Sequence, residues 1–189
     1  MIDLFHLSAQ LQKLFTSNAW KFCFIGGIAL QRWGEPRLTR DIDVCLLTGF
    51  GGEEPFIDRL LEHYQGRVPD AKTFALFRRV LLLQSSGGIG IDIALGGLPF
   101  EETVVQRASA FEFLPGLSLL TCSAEDLVIF KSFADRSRDW ADVETIIIRQ
   151  QEKLDWPYIF RQLTPLCEIK EAPEIVQRLE KLRADYAHQ

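Results

Sequence analysis

The chain predicts an α+β fold, strand-rich over its first two-thirds and helical over its last third. Three observations carry that expectation. Short apolar runs of strand character around Phe22–Ile25, Asp41–Leu47 and Ile89–Leu95 are separated by clusters rich in glycine and other turn formers. Within the second run, polar and apolar residues alternate as Asp41-Ile42-Asp43-Val44, which is the period of a strand with one buried face. From Ser123 onward the apolar residues instead recur at helical spacing.

Leu4, Leu7, Leu11, Leu14 and Phe15 predict an amphipathic first helix. Phe22-Cys23-Phe24-Ile25 follows as a strand, and Gly26-Gly27 turns it into a brief helix through Ala29, Leu30 and Trp33. Gly34-Glu35-Pro36 stops that helix, because glycine and proline both disfavour continuation. Asp41–Leu47 is the second strand, and a loop at Gly49–Gly52 leads to a helix over about 55–63. Phe74–Phe77 with Arg79–Gln84 reads as an irregular strand or short hairpin, and Ser85–Gly88 as the turn into the strand around Asp92. The glycines at 87–90 are likewise read as turn residues. A short helix is expected over Glu101–Arg107, then a hairpin about Pro115-Gly116. Ser123 followed by Asp126 marks a helix start, related to a capping box. Leu127, Ile129, Phe130 and Phe133 fill that helix, and Val143, Ile146 and Ile147 the next. Helices over about 156–166 and 173–187 complete the chain, which divides into residues 1–120 and a helical region at 121–189.

Composition narrows what such a fold does. At 189 residues with 47% hydrophobic side chains, an ordinary core is affordable. A net charge of −5 argues against general duplex DNA binding, which leaves a basic footprint, although local clusters remain at Arg32, Arg37, Arg40 and Arg78-Arg79. Cys23, Cys45, Cys122 and Cys167 form no C-x-x-C pair and His6, His63 and His188 are scattered, so no structural zinc site is expected. The opening residues lack a leader pattern and no apolar run reaches membrane-spanning length. A cytoplasmic protein with reduced thiols, away from membranes, is the expectation.

The acidic residues are the chief chemical signal. Asp41 and Asp43 share one strand face, and Asp92 sits alone between Ile91 and Ile93 in a later strand. Such a set is all oxygen and strongly anionic, which suits a hard cation such as Mg²⁺ together with substrate phosphates. The bland alternative is a set of strand-end carboxylates paired with nearby arginines. Gly26-Gly27 is either a steric necessity at a strand-to-helix corner or a place where backbone N–H groups approach a phosphate. The chain has no G-x-x-x-x-G-K-[S/T], so a Walker-type site is excluded.

Gly26-Gly27, Asp41-Ile42-Asp43 and Ile91-Asp92-Ile93 together resemble the hG[G/S]…DhD…hDh pattern of the DNA polymerase beta-like nucleotidyltransferase superfamily. Within it the sequence is most similar to the AbiEii-type toxin nucleotidyltransferases and their minimal relatives. The likeness extends to Arg37-x-Thr39-x-Asp41 and to Ser123-Ala124-Glu125-Asp126-Leu127, Lys131, Arg138-Asp139 and Asp142, all between Phe22 and Ile147.

That resemblance implies a mixed sheet flanked by helices, and transfer of a nucleotide from a nucleoside triphosphate with Mg²⁺ or Mn²⁺. It implies that Asp41, Asp43 and Asp92 hold the metals, and that Asp92 aids the acceptor hydroxyl or takes its proton. Gly26, Gly27, Arg37, Thr39, Arg40 and Lys131 are the implied nucleotide-binding residues. For Thr39 backbone capping is the competing role, and for Lys131 a surface pair with Asp135. Asp139 and Asp142 either orient basic residues or cap a helix. The implied acceptor is RNA or a partner protein of antitoxin type. A small-molecule acceptor of antibiotic type, or a non-catalytic nucleotide-binding module, are the alternatives, since fold does not fix function.

Overall fold

The computed structural model describes residues 1–186. Its elements run α1 (Ile2–Ser17), β1 (Phe22–Phe24), α2 (Gly26–Trp33), β2 (Asp41–Leu47), α3 (Glu54–Leu61), β3 (Gln65–Gly66), α4 (Ala71–Arg78), β4 (Val80–Gln84) and β5 (Gly90–Gly96). They continue as α5 (Pro99–Arg107), β6 (Ser109–Leu114), β7 (Leu117–Thr121), α6 (Ala124–Ala134), α7 (Ser137–Gln150), α8 (Trp156–Ile169) and α9 (Glu174–Tyr186). The fold is α+β, as the alternation of strand and helix patterns predicts. Ala187, the expected end of the last helix, and His188 lie outside the described residues. Two compact units divide the chain, one of Met1–Ile28 with Leu38–Cys122, the other of Ala29–Arg37 with the residues from Ser123.

The first unit is built on a mixed sheet of seven strands among the described residues, in the order β3-β4-β5-β2-β1-β7-β6. β2 and β5 run parallel at its centre, and β4 and β1 flank them antiparallel. Strand alternation sets the core: Ile42, Val44 and Leu46 of β2, Ile91 and Ile93 of β5 and Leu81 and Leu83 of β4 are fully buried. They join one cluster with Leu4, Leu11 and Phe15 of α1, Ile57 and Leu60 of α3 and Ala75 of α4. The sheet is therefore apolar on this face and free to carry polar chemistry on the other.

Three local expectations need correction. Residues 71–78 form helix α4, not a strand. Asp70 caps it by accepting the Thr73 N–H at 3.3 Å, and Ala71 and Ala75 bury one face, which outweighs the strand-like Phe-Ala-Leu-Phe pattern. Arg79 then adopts a left-handed conformation (φ 55°) and releases the chain into β4. Second, α5 starts at Pro99, because Glu101 reaches back to accept the Gly97 and Leu98 N–H groups, both at 2.8 Å. Third, Gly90 is the first residue of β5 and buried, rather than part of a turn.

The second unit holds α6 to α9. Ser123 caps α6 as expected, accepting the Asp126 N–H at 3.1 Å, and Asp126 in turn accepts the Tyr158 hydroxyl at 2.6 Å. The 34–37 loop is fastened to α7: the Glu35 N–H donates to Thr145 Oγ1 at 3.1 Å, and Gln150 donates to the Trp33 carbonyl at 2.7 Å. Cys23, Cys45, Cys122 and Cys167 are buried and outside any disulfide. No helix among the described residues is long and apolar enough to cross a membrane.

Candidate active site

The parallel pairing of β2 with β5 sets Asp43 directly beside Asp92 and Asp41 beside Gly90. Neighbouring strands lie about 4.8 Å apart and residues two along a strand about 6.6 Å. All three carboxylates thus rise from one patch of the face opposite the core. Asp41 is half exposed; Asp43 and Asp92 are partly buried.

Glycines make room for them. Gly26 leaves β1 at φ +56°, and a Cβ there would lie 2.1 Å from Asp43 Oδ2. A Cβ at Gly90 would lie 2.2 Å from Asp41 Oδ1. The Gly27 N–H, at the start of α2, donates to Asp43 Oδ2 at 3.3 Å. Thr39 Oγ1 packs over Gly27, where a Cβ would meet it at 2.3 Å, and donates to the Asp41 carbonyl at 3.2 Å, the capping role weighed for it.

Burial and neighbouring charges act together on Asp92. Burial pushes the Asp92 carboxyl above the ordinary carboxylate range, Arg67 pulls it back, and repulsion from Asp41 raises it again, for a net upward shift. Arg67 escaped the sequence reading. It pairs with Asp92 through Nη2 and lies 3.7 Å from Asp41 through Nη1. Its only sequence signal is a lone arginine after a two-residue edge strand. As they stand, no three His, Cys, Asp or Glu side chains among the described residues close around a point that would hold a metal ion. The donors nevertheless fit one: they are carboxylates on one face, and a divalent cation would answer the burial and mutual repulsion that raise Asp92.

The other residues singled out in the sequence fall as follows. Arg40 is exposed just ahead of β2. Arg37 and Lys131 belong to the second unit and share Asp142: Arg37 donates to both of its oxygens, at 2.7 and 2.6 Å, and Lys131 lies 2.6 Å away. Lys131, only 5% exposed, also bonds Asp139 at 3.0 Å. Asp142, pushed up by burial, is held below the ordinary range by the hydrogen bonds from Arg37 and Lys131. Asp139 and Asp142 therefore orient basic residues, and the surface pair of Lys131 with Asp135 does not form. Asp135 ends α6 in a left-handed conformation and accepts from the Trp140 indole at 2.6 Å. Arg79 is no open patch either: it pairs with Glu53, donates to the Gly49 carbonyl at 2.9 Å and covers the Phe50 ring.

The family described as "Nucleotidyl transferase AbiEii toxin, Type IV TA system" matches residues 12–155. The chain belongs to the AbiEii family. Its match takes in β1, β2, β5 and α6, and so every acidic residue discussed above. No curated protein sequence matches the chain. Among solved structures, an antigenic nucleotidyltransferase-like protein from Paracoccidioides brasiliensis is similar at 16% identity and TM-score 0.51, over 94% of this chain and 92% of that one. The lincosamide antibiotic adenylyltransferase LnuA, bound to lincomycin, is similar at 17% identity and TM-score 0.50, over 72% and 92% of the two chains. The antibiotic-resistance factor ANT(2'')-Ia is similar at 16% identity and TM-score 0.50, over 98% and 91%. At these identities the likeness is one of fold, and the AbiEii chain shares the nucleotidyltransferase fold.

Proposed function

We propose that this AbiEii chain is a metal-dependent enzyme that moves a nucleoside monophosphate from a nucleoside triphosphate to a hydroxyl of a macromolecule, RNA or a partner protein, with release of pyrophosphate. Residues 1–120 are taken as the catalytic part and 121–189 as a helical region serving it. The observation that carries the reading is the register of β2 on β5, with Asp43 beside Asp92 and Asp41 on the same face, next to the Gly26-Gly27 corner. When bound there, Mg²⁺ or Mn²⁺ supplies positive charge for the triphosphate and lowers the pKa of the acceptor hydroxyl. Asp41, Asp43 and Asp92 hold that charge in place. Asp92, raised by burial, is the carboxylate best suited to accept the hydroxyl proton. Gly26 and Gly27, at the start of α2, are assigned to the nucleotide phosphates on family likeness, and that role requires Asp43 Oδ2 and Thr39 Oγ1 to move from the space beside them. Arg37, Thr39, Arg40 and Lys131 are assigned to the nucleotide on family likeness, and for Lys131 that role requires exchanging Asp142 for a phosphate oxygen.

The toxin role, and with it an antitoxin-type partner, is proposed on family membership. A cytoplasmic setting is supported by four buried cysteines with no disulfide among the described residues. With a net charge of −5, an RNA acceptor depends on local cations, for which exposed Arg40 and Arg78 are candidates.

The test is to incubate the protein with each labelled nucleoside triphosphate, Mg²⁺ and a cell extract, and to separate RNA, protein and small molecules. Label is expected in RNA or protein, and RNA labelling should fall steeply between about 50 and 200 mM salt as counterion release predicts. Label confined to small molecules would overturn the macromolecular acceptor. Triphosphate binding that is equal in EDTA and Mg²⁺ would overturn the metal role, and no binding or transfer would leave a partner-binding module.

A further inference from the structure

Arg67 sits in a slot built for it. Its backbone N–H donates to the Leu82 carbonyl at 2.9 Å, and Leu82 pairs across β4 and β5 with Asp92. The Arg67 and Asp92 backbones therefore stand about two strand spacings apart, roughly 9–10 Å, a span that the two side chains close by reaching towards each other. The guanidinium passes over Gly90, where a Cβ would lie 2.6 Å from Arg67 Nη1, so a side chain at that position would force the guanidinium to shift. At the far end the planar fork divides, one nitrogen on Asp92 and the other towards Asp41. Asp41 and Asp92 are two of the three residues assigned to metal in the proposed function, on which this inference rests.

We propose that Arg67 is a latch on the carboxylate site, a positioning residue whose guanidinium holds Asp41 and Asp92 until a divalent cation displaces it. A guanidinium and a hard cation cannot both occupy the same carboxylate oxygens. Their binding is thus antagonistic, and by linkage the antagonism is mutual: whatever Arg67 adds to the metal-free site, the metal must overcome. The latch offsets carboxylate repulsion when no nucleotide is present and sets the metal concentration at which the site assembles. Arg67 immediately follows the two-residue β3, an edge strand that pairs with β4 alone, and so is placed to let go.

Mn²⁺ binding, measured by calorimetry on the wild type, Arg67→Gln and Arg67→Lys, tests this without reference to turnover. Arg67→Gln should tighten Mn²⁺ by about fivefold, the scale of a partly exposed ion pair. Arg67→Lys keeps the charge but loses the fork, and should shift affinity most of the way towards Arg67→Gln. In the wild type, labelling of Arg67 by phenylglyoxal, read by peptide mass spectrometry, should rise when Mn²⁺ is added. Unchanged Mn²⁺ affinity in Arg67→Gln, or labelling indifferent to Mn²⁺, would overturn the latch while leaving the metal site intact. Arg67→Lys equal to wild type would also overturn it, because charge alone would then explain the effect. A wild type that binds no Mn²⁺ would overturn the proposed function as well as the latch.

Discussion

Replacing Lys131 by Met should cost the protein far more in stability than a surface lysine would. Lys131 is 5% exposed, and its ammonium group touches Asp139 at 3.0 Å and Asp142 at 2.6 Å, each only 4% exposed. Methionine keeps most of the side chain's volume but leaves two buried carboxylates short of a partner. Breaking a buried pair from one side costs about 3–5 kcal/mol. Here the lower end applies, because Asp142 keeps both Arg37 hydrogen bonds and Asp139 keeps Arg136 at 2.5 Å. For a chain of 189 residues, about 3 kcal/mol corresponds to a fall in Tm of roughly 6–12 °C. Calorimetry or urea unfolding reads this directly. The same substitution in an Asp142→Asn background should cost less, since one stranded charge is already gone. A Tm within about 2 °C of wild type would refute the reasoning, whatever becomes of nucleoside triphosphate binding.

Three further outcomes are expected. Asp43→Asn should leave the metal-free Tm unchanged or slightly higher, since it relieves crowding with Asp92 and still accepts from the Gly27 N–H, but should abolish the stabilisation by Mg²⁺ seen in thermal shift; a large fall in EDTA would mark Asp43 as a structural anchor. Gly26→Ala should destabilise by about 1–3 kcal/mol and weaken metal binding, because its Cβ falls 2.1 Å from Asp43 Oδ2 at a positive φ; a folded variant with normal Mn²⁺ affinity contradicts this. The Asp142 carboxyl is held below its ordinary value, so its contribution is complete above about pH 4 and fades as pH falls through the lowered value. The stability gap between wild type and Asp142→Asn should therefore close on acidification, and a gap constant from about pH 7 to pH 3 would speak against the ion-pair network.

Much of this was legible wherever the determinant is local. β2 was readable to the residue, because Asp-Ile-Asp-Val alternation admits one register with a buried face. The start of α6 was readable because Ser123 and Asp126 stand at capping distance. α4 was hidden: an eight-residue helix with two phenylalanines two and five positions before its cap gives little periodicity, and the Asp70 cap decides it. The Lys131 partner was hidden for a different reason. Helical spacing points to Asp135, but the helix ends there and the next one brings Asp139 and Asp142 instead. Arg67 depends on β3, which has two residues and no apolar pattern, so nothing in the chain announces its reach.

The glycines link the legible and the hidden parts of the site. Gly26 and Asp43 are seventeen positions apart and Gly90 and Asp41 are on different strands, yet each glycine faces the carboxylate of the other segment. In sequence Gly26 passes for a corner residue and Gly90 for the end of a turn. In the fold, Gly26 is positioned by β1 pairing with β2, and Gly90 by β5 pairing with β2. Both pairings fix the carboxylates as well, so carboxylate and glycine come as one packing unit. A side chain at either glycine would claim space within about 2.2 Å of an acidic oxygen and push it from the patch. The spacing of G-G, D-x-D and the lone Asp92 is therefore set by strand registry around one shared volume. The same volume admits the Arg67 guanidinium past Gly90, so the groove that shapes the anionic patch is also the path by which its resident cation arrives.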